Sequence, residues 1–164
     1  MSSGTILLRA APLLASTAYL TGTTCEEVYF RPFGSPRSSL RPQANRLVAA
    51  HFNAMYKPAV SITLTLYPLA IGTAVGNLVV GGISRLGSGF YAAGLCFSLM
   101  HFAFAPRDMA LMSTITDHQA VNRDKGKDNC TAIADWVRLN VTRGLIADLP
   151  GWICYFVGFM VSVA

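Results

Sequence analysis

The chain has 164 residues, of which 52% are hydrophobic and 13% charged, with a mean hydropathy of +0.43 and a formal net charge of +5. This composition is too apolar for an ordinary soluble domain of the same length, and it predicts an integral membrane protein in a lipid bilayer. The positive charge does not indicate nucleic acid as a partner, because neither basic segment interleaves its arginines and lysines with aromatic side chains.

The first predicted helix covers about residues 5–24, and its apolar and small side chains fit a packed membrane helix. No basic residue precedes its apolar run, which argues against a cleaved secretory signal. The loop that follows, 25–57, contains Pro32 and Gly34, which rule out a long helix in its first part. Its last part, 43–56, is predicted to form a short helix at the membrane interface.

The second and third predicted helices, at about 58–82 and 90–114, are built on two uncharged stretches, 58–84 and 86–106, each longer than the roughly 20 residues needed to cross a hydrocarbon core. We expect Pro68 to bend the second helix. The pattern Gly72-x-x-x-Gly76 allows a close contact with a neighbouring helix.

A second loop is predicted at 115–134 and a last helix at about 135–163. Short lumenal and long cytosolic connections predict an all-α fold, an up-down four-helix bundle in which residues 1–164 form a single membrane domain. Arginine and lysine concentrate in the two long loops. The positive-inside rule then places both loops in the cytosol and both termini in the lumen.

His101 is the main candidate for acid–base chemistry, because it lies in the middle of the third predicted helix. An ionisable side chain at that depth is costly and is a functional hypothesis by default. We expect a neutral imidazole that can accept a proton. The alternative is a structural histidine that bonds to Asn77, Ser61 or a backbone carbonyl.

The start of the last helix carries Trp136, Asn140 and Arg143 at positions i, i+4 and i+7, which a helix places on one face. These side chains indicate a site that faces a substrate. The alternative is an interfacial helix start, in which Trp136 and Arg143 anchor at the headgroups. Asp148 follows off this face by one residue, so it needs Arg9 or Arg143 as a partner to remain charged.

Three further candidates for substrate binding lie near helix ends. Arg107 and Asp108 form either a substrate contact or an interfacial ion pair. His51 is either part of the site or an exposed residue of the interfacial helix. No spacing of cysteine and histidine resembles a zinc site, so we predict no metal.

The segment from Trp136 to Leu145 resembles the fungal anthrone-oxygenase-like family of small four-helix membrane proteins. That family opens its last helix with Trp, then Leu-Asn, then Arg-Gly. The Ala105-Pro106 step, with methionines beyond it, is similar to the end of the family's third helix. Topology and length agree over nearly the whole chain.

The chain departs from the family's pattern at two places after this Ala-Pro step. Arg107-Asp108 stands where the family has Phe-Thr, and Thr114-Ile115-Thr116-Asp117 stands where it has Pro-Thr-Asn after a methionine. A site that depends on that asparagine is altered here, so the substrate or the reaction can have diverged.

The resemblance implies an enzyme of secondary metabolism that oxidises an anthrone-type polyketide to an anthraquinone with molecular oxygen and without a cofactor. Removal of one acidic proton gives an enolate that reacts directly with oxygen, so the protein supplies a base and stabilises the anion. His101 is then the base, with His51 as its substitute. Arg143 and Asn140 stabilise the anion, and Trp136 stacks on the rings.

Two other functions stay open. One is a membrane cyclase or isomerase that uses the same acid–base groups on a related polyketide or terpenoid without oxygen. The other is a non-catalytic scaffold that recruits soluble pathway enzymes through the basic first loop. A homo-oligomer also stays open, and topology and family together suggest the endoplasmic reticulum.

Overall fold

A computed structural model of the chain describes residues 1–35, 37–116 and 128–164. In these ranges the fold is all-α, as predicted, and no strand occurs. Most of the predicted second loop, including Asp117, lies outside the described residues. Within the described ranges the α-helices are α1 (Ser3–Gly34), α2 (Arg41–Val80), α3 (Arg85–Met100), α4 (Ala105–Thr116), α5 (Asn129–Arg143) and α6 (Leu149–Val163).

The first two helices are longer than the sequence predicted, so most of the predicted loop at 25–57 is helical. Helix α1 continues through Pro32 to Gly34, and α2 begins at Arg41 rather than at Pro58. Pro32 falls in the last turn of α1, and Pro42 is the second residue of α2, where its missing N–H is no loss. Proline inside an apolar helix, as at Pro58, is tolerated when neighbouring groups satisfy the freed carbonyl.

Besides the 3₁₀ turn Ser38–Leu40 before α2, two short segments leave α-geometry, and each lies directly before a helix that carries a proline at its second position. His101–Phe104 forms a 3₁₀ turn before α4, and Gly144–Asp148 forms a π-turn before α6. A proline ring clashes with the carbonyl four residues earlier, so neither helix continues regularly into Pro106 or Pro150. These two breaks supply residues of the candidate site.

One compact unit comprises residues 1–22, 62–103 and 143–164. In this first unit, α3 and α6 pack closely at their glycines. A Cβ added to Gly94 would lie 2.6 Å from Tyr155 Cε1, and one added to Gly151 would lie 3.2 Å from Phe97 Cβ. Because glycine has no side chain, the backbones of two membrane helices can approach each other closely at such positions.

Helix α2 contacts α1 through Gly76 and Asn77 rather than through Gly72. A Cβ on Gly72 would meet nothing within 4 Å, so the close contact predicted there is wrong, whereas one on Gly76 would touch Leu8 at 3.4 Å. The Asn77 amide donates to the Leu8 carbonyl at 2.8 Å and to the Thr73 carbonyl at 2.9 Å. Asn77 is therefore a bridge between two helices and not a partner of His101.

The second compact unit comprises residues 23–61 and, in its described part, 104–116 and 128–142. Asp128 directly precedes α5, and its Oδ1 accepts from the Thr131 backbone N–H at 2.8 Å, as a helix N-cap does. Arg41 donates to both oxygens of this carboxylate, at 2.6 and 2.8 Å. Burial raises the pKa of Asp128, but the hydrogen bonds from Arg41, Thr131 and Asn45 outweigh it and lower that pKa below its ordinary value. The apolar core of this unit is Phe30, Val48, Phe52, Ile115, Ala132, Ile133, Trp136 and Val137.

Three helical stretches in the described residues are long and apolar enough to cross a membrane: Arg41–Val80, Arg85–Thr116 and Asn129–Val163. The predicted first span, in α1, is not among them, because Arg9 and several threonines lower its hydropathy. The chain is thus compatible with a membrane protein through three of its four predicted spans. The endoplasmic reticulum and the lumenal termini remain predictions.

Candidate active site

Four polar side chains from different segments of the first unit meet in its interior. Tyr67 comes from α2, His101 opens the 3₁₀ turn, Arg143 ends α5 and Asp148 ends the π-turn. Each residue is less than one tenth exposed, with Arg143 at 4% and His101 at 7%. Burial of ionisable groups in an apolar protein is costly, so their arrangement around one carboxylate is significant.

The Asp148 carboxylate is the centre of this group. The Tyr67 hydroxyl donates to its Oδ1 at 2.6 Å, and His101 Nδ1 lies 3.0 Å from the same oxygen. Tyr67 Oη also lies 2.6 Å from His101 Nδ1. Arg143 Nε donates to Oδ2 at 3.3 Å, which completes a buried ion pair.

This network orients the His101 ring. A carboxylate oxygen can only accept, so the contact with Asp148 requires a hydrogen on Nδ1 and leaves the lone pair on Nε2. Nε2 has no hydrogen-bond partner among the described residues. A carboxylate on one imidazole nitrogen fixes the tautomer and stabilises the imidazolium that forms when the other nitrogen takes a proton. The geometry can therefore support general-base chemistry.

The π-turn explains how Arg143 and Asp148 meet. In an α-helix, residues three and four apart share a face, and residues five apart do not. A π-turn hydrogen-bonds residue i to i+5, which aligns residues at this longer spacing. Asp148 therefore lies beside Arg143, one of its two predicted partners. The other, Arg9, instead donates to the Gly82 carbonyl at 3.0 Å.

Tyr19 of α1 borders the group. Its ring lies 4.4 Å from the Tyr67 ring and 5.4 Å from the His101 ring, centroid to centroid, both edge-to-face. The Arg143 guanidinium carbon lies 5.8 Å from the Tyr19 centroid, within cation–π range. Sequence reasoning gave neither Tyr19 nor Tyr67 a part in the acid–base chemistry. The available signal was Asp148, a carboxylate in an apolar span that needs donors from elsewhere.

A cavity of about 20 Å³ adjoins Tyr67 and Asp148 in the same unit. This volume holds about one molecule of the size of water. Its lining residues are Ala15, Ser16, Tyr19, Leu66, Tyr67, Ala70, Ser98, Ala147 and Asp148.

The other predicted site residues lie in the second unit. Trp136 and Asn140 share one face of α5 and are 4% and 1% exposed. The indole packs edge-to-face against Phe30 and Phe52, at 5.6 and 5.2 Å between centroids. The Asn140 amide has no hydrogen-bond partner among the described residues.

His51, Arg107 and Asp108 also belong to the second unit. His51 is exposed and stacks on Tyr29, with centroids 5.9 Å apart. Arg107 is exposed and Asp108 half-buried in the first turn of α4. No group of three His, Cys, Asp or Glu side chains in the described part of the chain could hold a metal ion.

Curated fungal proteins resemble this chain along nearly its whole length. An epoxidase named pydX from Acremonium sp. is 33% identical over 154 residues, which are 91% of this chain and 90% of that protein. The probable epoxidase scpX from Mollisia scopiformis is 28% identical over 153 residues, and the epoxidase gkaX from Penicillium citrinum is 29% identical over 159. These two matches cover 91% and 94% of both partners.

No family profile and no solved structure matches the chain. None of the three relatives is named an anthrone oxygenase, so the earlier resemblance is supported only in its fungal setting. With one third of the residues shared over nine tenths of both chains, this chain belongs to the family of fungal epoxidases that includes pydX.

Proposed function

We propose that this protein is a membrane-bound oxygenase of fungal secondary metabolism that epoxidises an electron-rich, unsaturated substrate with molecular oxygen. The observation that carries the proposal is the buried His101–Asp148 pair, whose unpartnered Nε2 can act as a base. The names of the three relatives support oxygen transfer as the reaction type.

His101 would take a proton from a phenolic, enolic or activated C–H group of the substrate. Asp148 stabilises the imidazolium, and Arg143 and Tyr67 hold the carboxylate in place. The substrate anion is electron-rich and reacts directly with oxygen. One oxygen atom enters the substrate and the other leaves in water, so the substrate also loses two hydrogens. A substrate that is both acidic and oxidisable supplies these electrons itself and needs no flavin or metal.

An anthrone-type polyketide satisfies the same balance. Its methylene loses two hydrogens and gains one oxygen, which gives the anthraquinone and water. The Trp136-to-Leu145 segment favours this second candidate substrate, through its resemblance to anthrone oxygenases. Both reactions begin with the same deprotonation, so they differ in product and not in the base required.

The test uses membranes that contain the protein and membranes from cells that lack it. Each receives a hydroxylated anthrone or a phenolic alkene under ¹⁸O₂, and products are identified by mass. We expect conversion above the background of spontaneous oxidation, with one ¹⁸O atom per product. An epoxide identifies the first candidate reaction and a quinone the second. Turnover that continues without oxygen would contradict both and favour a cyclase or isomerase.

A further inference from the structure

The cavity beside Tyr67 and Asp148 has no part in the proton transfer described above. Its volume of about 20 Å³ is enough for one water or one diatomic molecule. Three of its lining residues are alanines, Ala15, Ala70 and Ala147. These alanines are at most 4% exposed, so they lie in the interior of the first unit.

The polar groups in the wall already have protein partners. Ser16 donates to the Leu13 carbonyl at 3.0 Å, and Ser98 Oγ lies 2.9 Å from Tyr155 Oη. Tyr67 donates to Asp148, whose carboxylate also contacts His101 and Arg143. A buried water typically makes about two to four hydrogen bonds to groups that lack other partners. The three alanines and the polar groups that already have partners therefore leave room for a small apolar occupant.

We propose that this cavity is the binding site for the dioxygen molecule that the reaction consumes. The inference rests on the proposed function, because that function makes oxygen a substrate. The inference adds a binding location that the proposed function does not require. Dioxygen would bind next to the Asp148 carboxylate, which orients His101. The wall is then a determinant of oxygen affinity, separate from the residues that bind the organic substrate.

The first experiment detects oxygen without turnover. The intact protein, labelled with ¹³C at its alanine methyl groups and placed in lipid nanodiscs, is studied by NMR under oxygen pressure. Dioxygen is paramagnetic and accelerates relaxation of nearby nuclei. Ala74 is the control, since its methyl group is equally buried in the same unit but does not line the cavity. We expect relaxation of the Ala147 methyl to increase several times more than that of Ala74.

The second experiment fills the cavity. Ala15→Val adds two carbon atoms to the wall, and Ala70→Val does so from another helix, which guards against one variant failing to fold. Either change should remove the relaxation effect at Ala147. In turnover assays it should raise KM for oxygen several-fold with little change in KM for the organic substrate. Ala74→Val, a substitution of equal size outside the wall, should change neither.

The outcomes separate this inference from the proposed function. Equal relaxation at Ala147 and Ala74 would overturn the oxygen site, even in a protein that consumes oxygen. An unchanged KM for oxygen in both filled variants would also overturn it. A strong effect at Ala147 in a protein that consumes no oxygen would support the site as a gas-binding cavity and contradict the oxygenase.

Discussion

The Asp148 carboxylate accepts hydrogen bonds from Tyr67 and Arg143 and contacts His101, all inside the first unit. A buried carboxylate is stable only when such partners compensate for its lost hydration. The negative charge of Asp148 in turn orients the side chains of Tyr67, Arg143 and His101. At the scale of single residues, Asp148 therefore sets the geometry and His101 supplies the reactive nitrogen.

Substitution of these residues should affect turnover in a defined order. His101→Gln removes the base and should lower kcat by about 10²–10⁴-fold, the usual contribution of general-base catalysis. Tyr67→Phe keeps the ring and removes one donor to Asp148, so the loss of kcat should be smaller than that of His101→Gln. Both effects are measured as kcat and KM in membranes with equal amounts of each variant.

Tyr91→Phe is the matched control for these measurements. Tyr91 is also fully buried in the first unit, but its hydroxyl donates to the Arg9 backbone carbonyl and not to Asp148. It should retain turnover near that of the unaltered protein. Full activity of His101→Gln, or an equal loss in both tyrosine variants, would contradict the assigned roles.

At the scale of helices, the two departures from α-geometry explain what the sequence could and could not predict. Long apolar stretches indicated most of the helices, and the depth of His101 in its span singled it out. Arg143 was one of the two partners predicted for Asp148, but the π-turn that brings them together was not predictable from a period of 3.6, which puts the two residues on different faces. Tyr67 was missed because a tyrosine in an apolar helix is usually ordinary packing.

The glycine contacts between α3 and α6 give a prediction about stability. Gly94→Ala would place a methyl group 2.6 Å from the Tyr155 ring, and such overpacking typically costs about 1–3 kcal/mol. Gly72→Ala would meet nothing within 4 Å and should be neutral or stabilising by up to about 1 kcal/mol, since alanine favours the helix. Thermal unfolding in one detergent compares the two. Equal melting temperatures of the two variants would contradict the close packing of α3 against α6 at Gly94.

At the scale of the molecule, the apolar surface matches a bilayer. Large hydrophobic side chains are exposed along the helices, including Leu7 and Leu14 of α1, Leu64, Val79 and Ile153. Exposed apolar area of this extent indicates contact with lipid or with another protein. Helix α1 is not among the three stretches that are long and apolar enough to cross a membrane, so its crossing needs a direct test.

Whether the number of membrane crossings is even or odd decides on which side each end of the chain lies. Four spans place residues 1 and 164 on the same side of the membrane, and three spans place them on opposite sides. We predict the same side, because α1 combines exposed leucines with an arginine that is turned inward, where its Nη2 donates to the Gly81 and Gly82 carbonyls. Epitope tags at the two ends, probed with protease in sealed microsomes, measure this. Protection of only one tag would show that α1 does not cross.

The π-turn at Gly144–Asp148 links two requirements that are otherwise separate. Before it lies the arginine of the ion pair, and after it lie Gly151 and Gly158, which face α3. Losing one residue from the turn would rotate everything downstream by about 100° relative to Arg143. Either the ion pair or the glycine contact would then be lost. The spacing within this turn is therefore under stronger constraint than the identity of its apolar residues, and evolution can exchange Leu145 or Ile146 more readily than it can delete them.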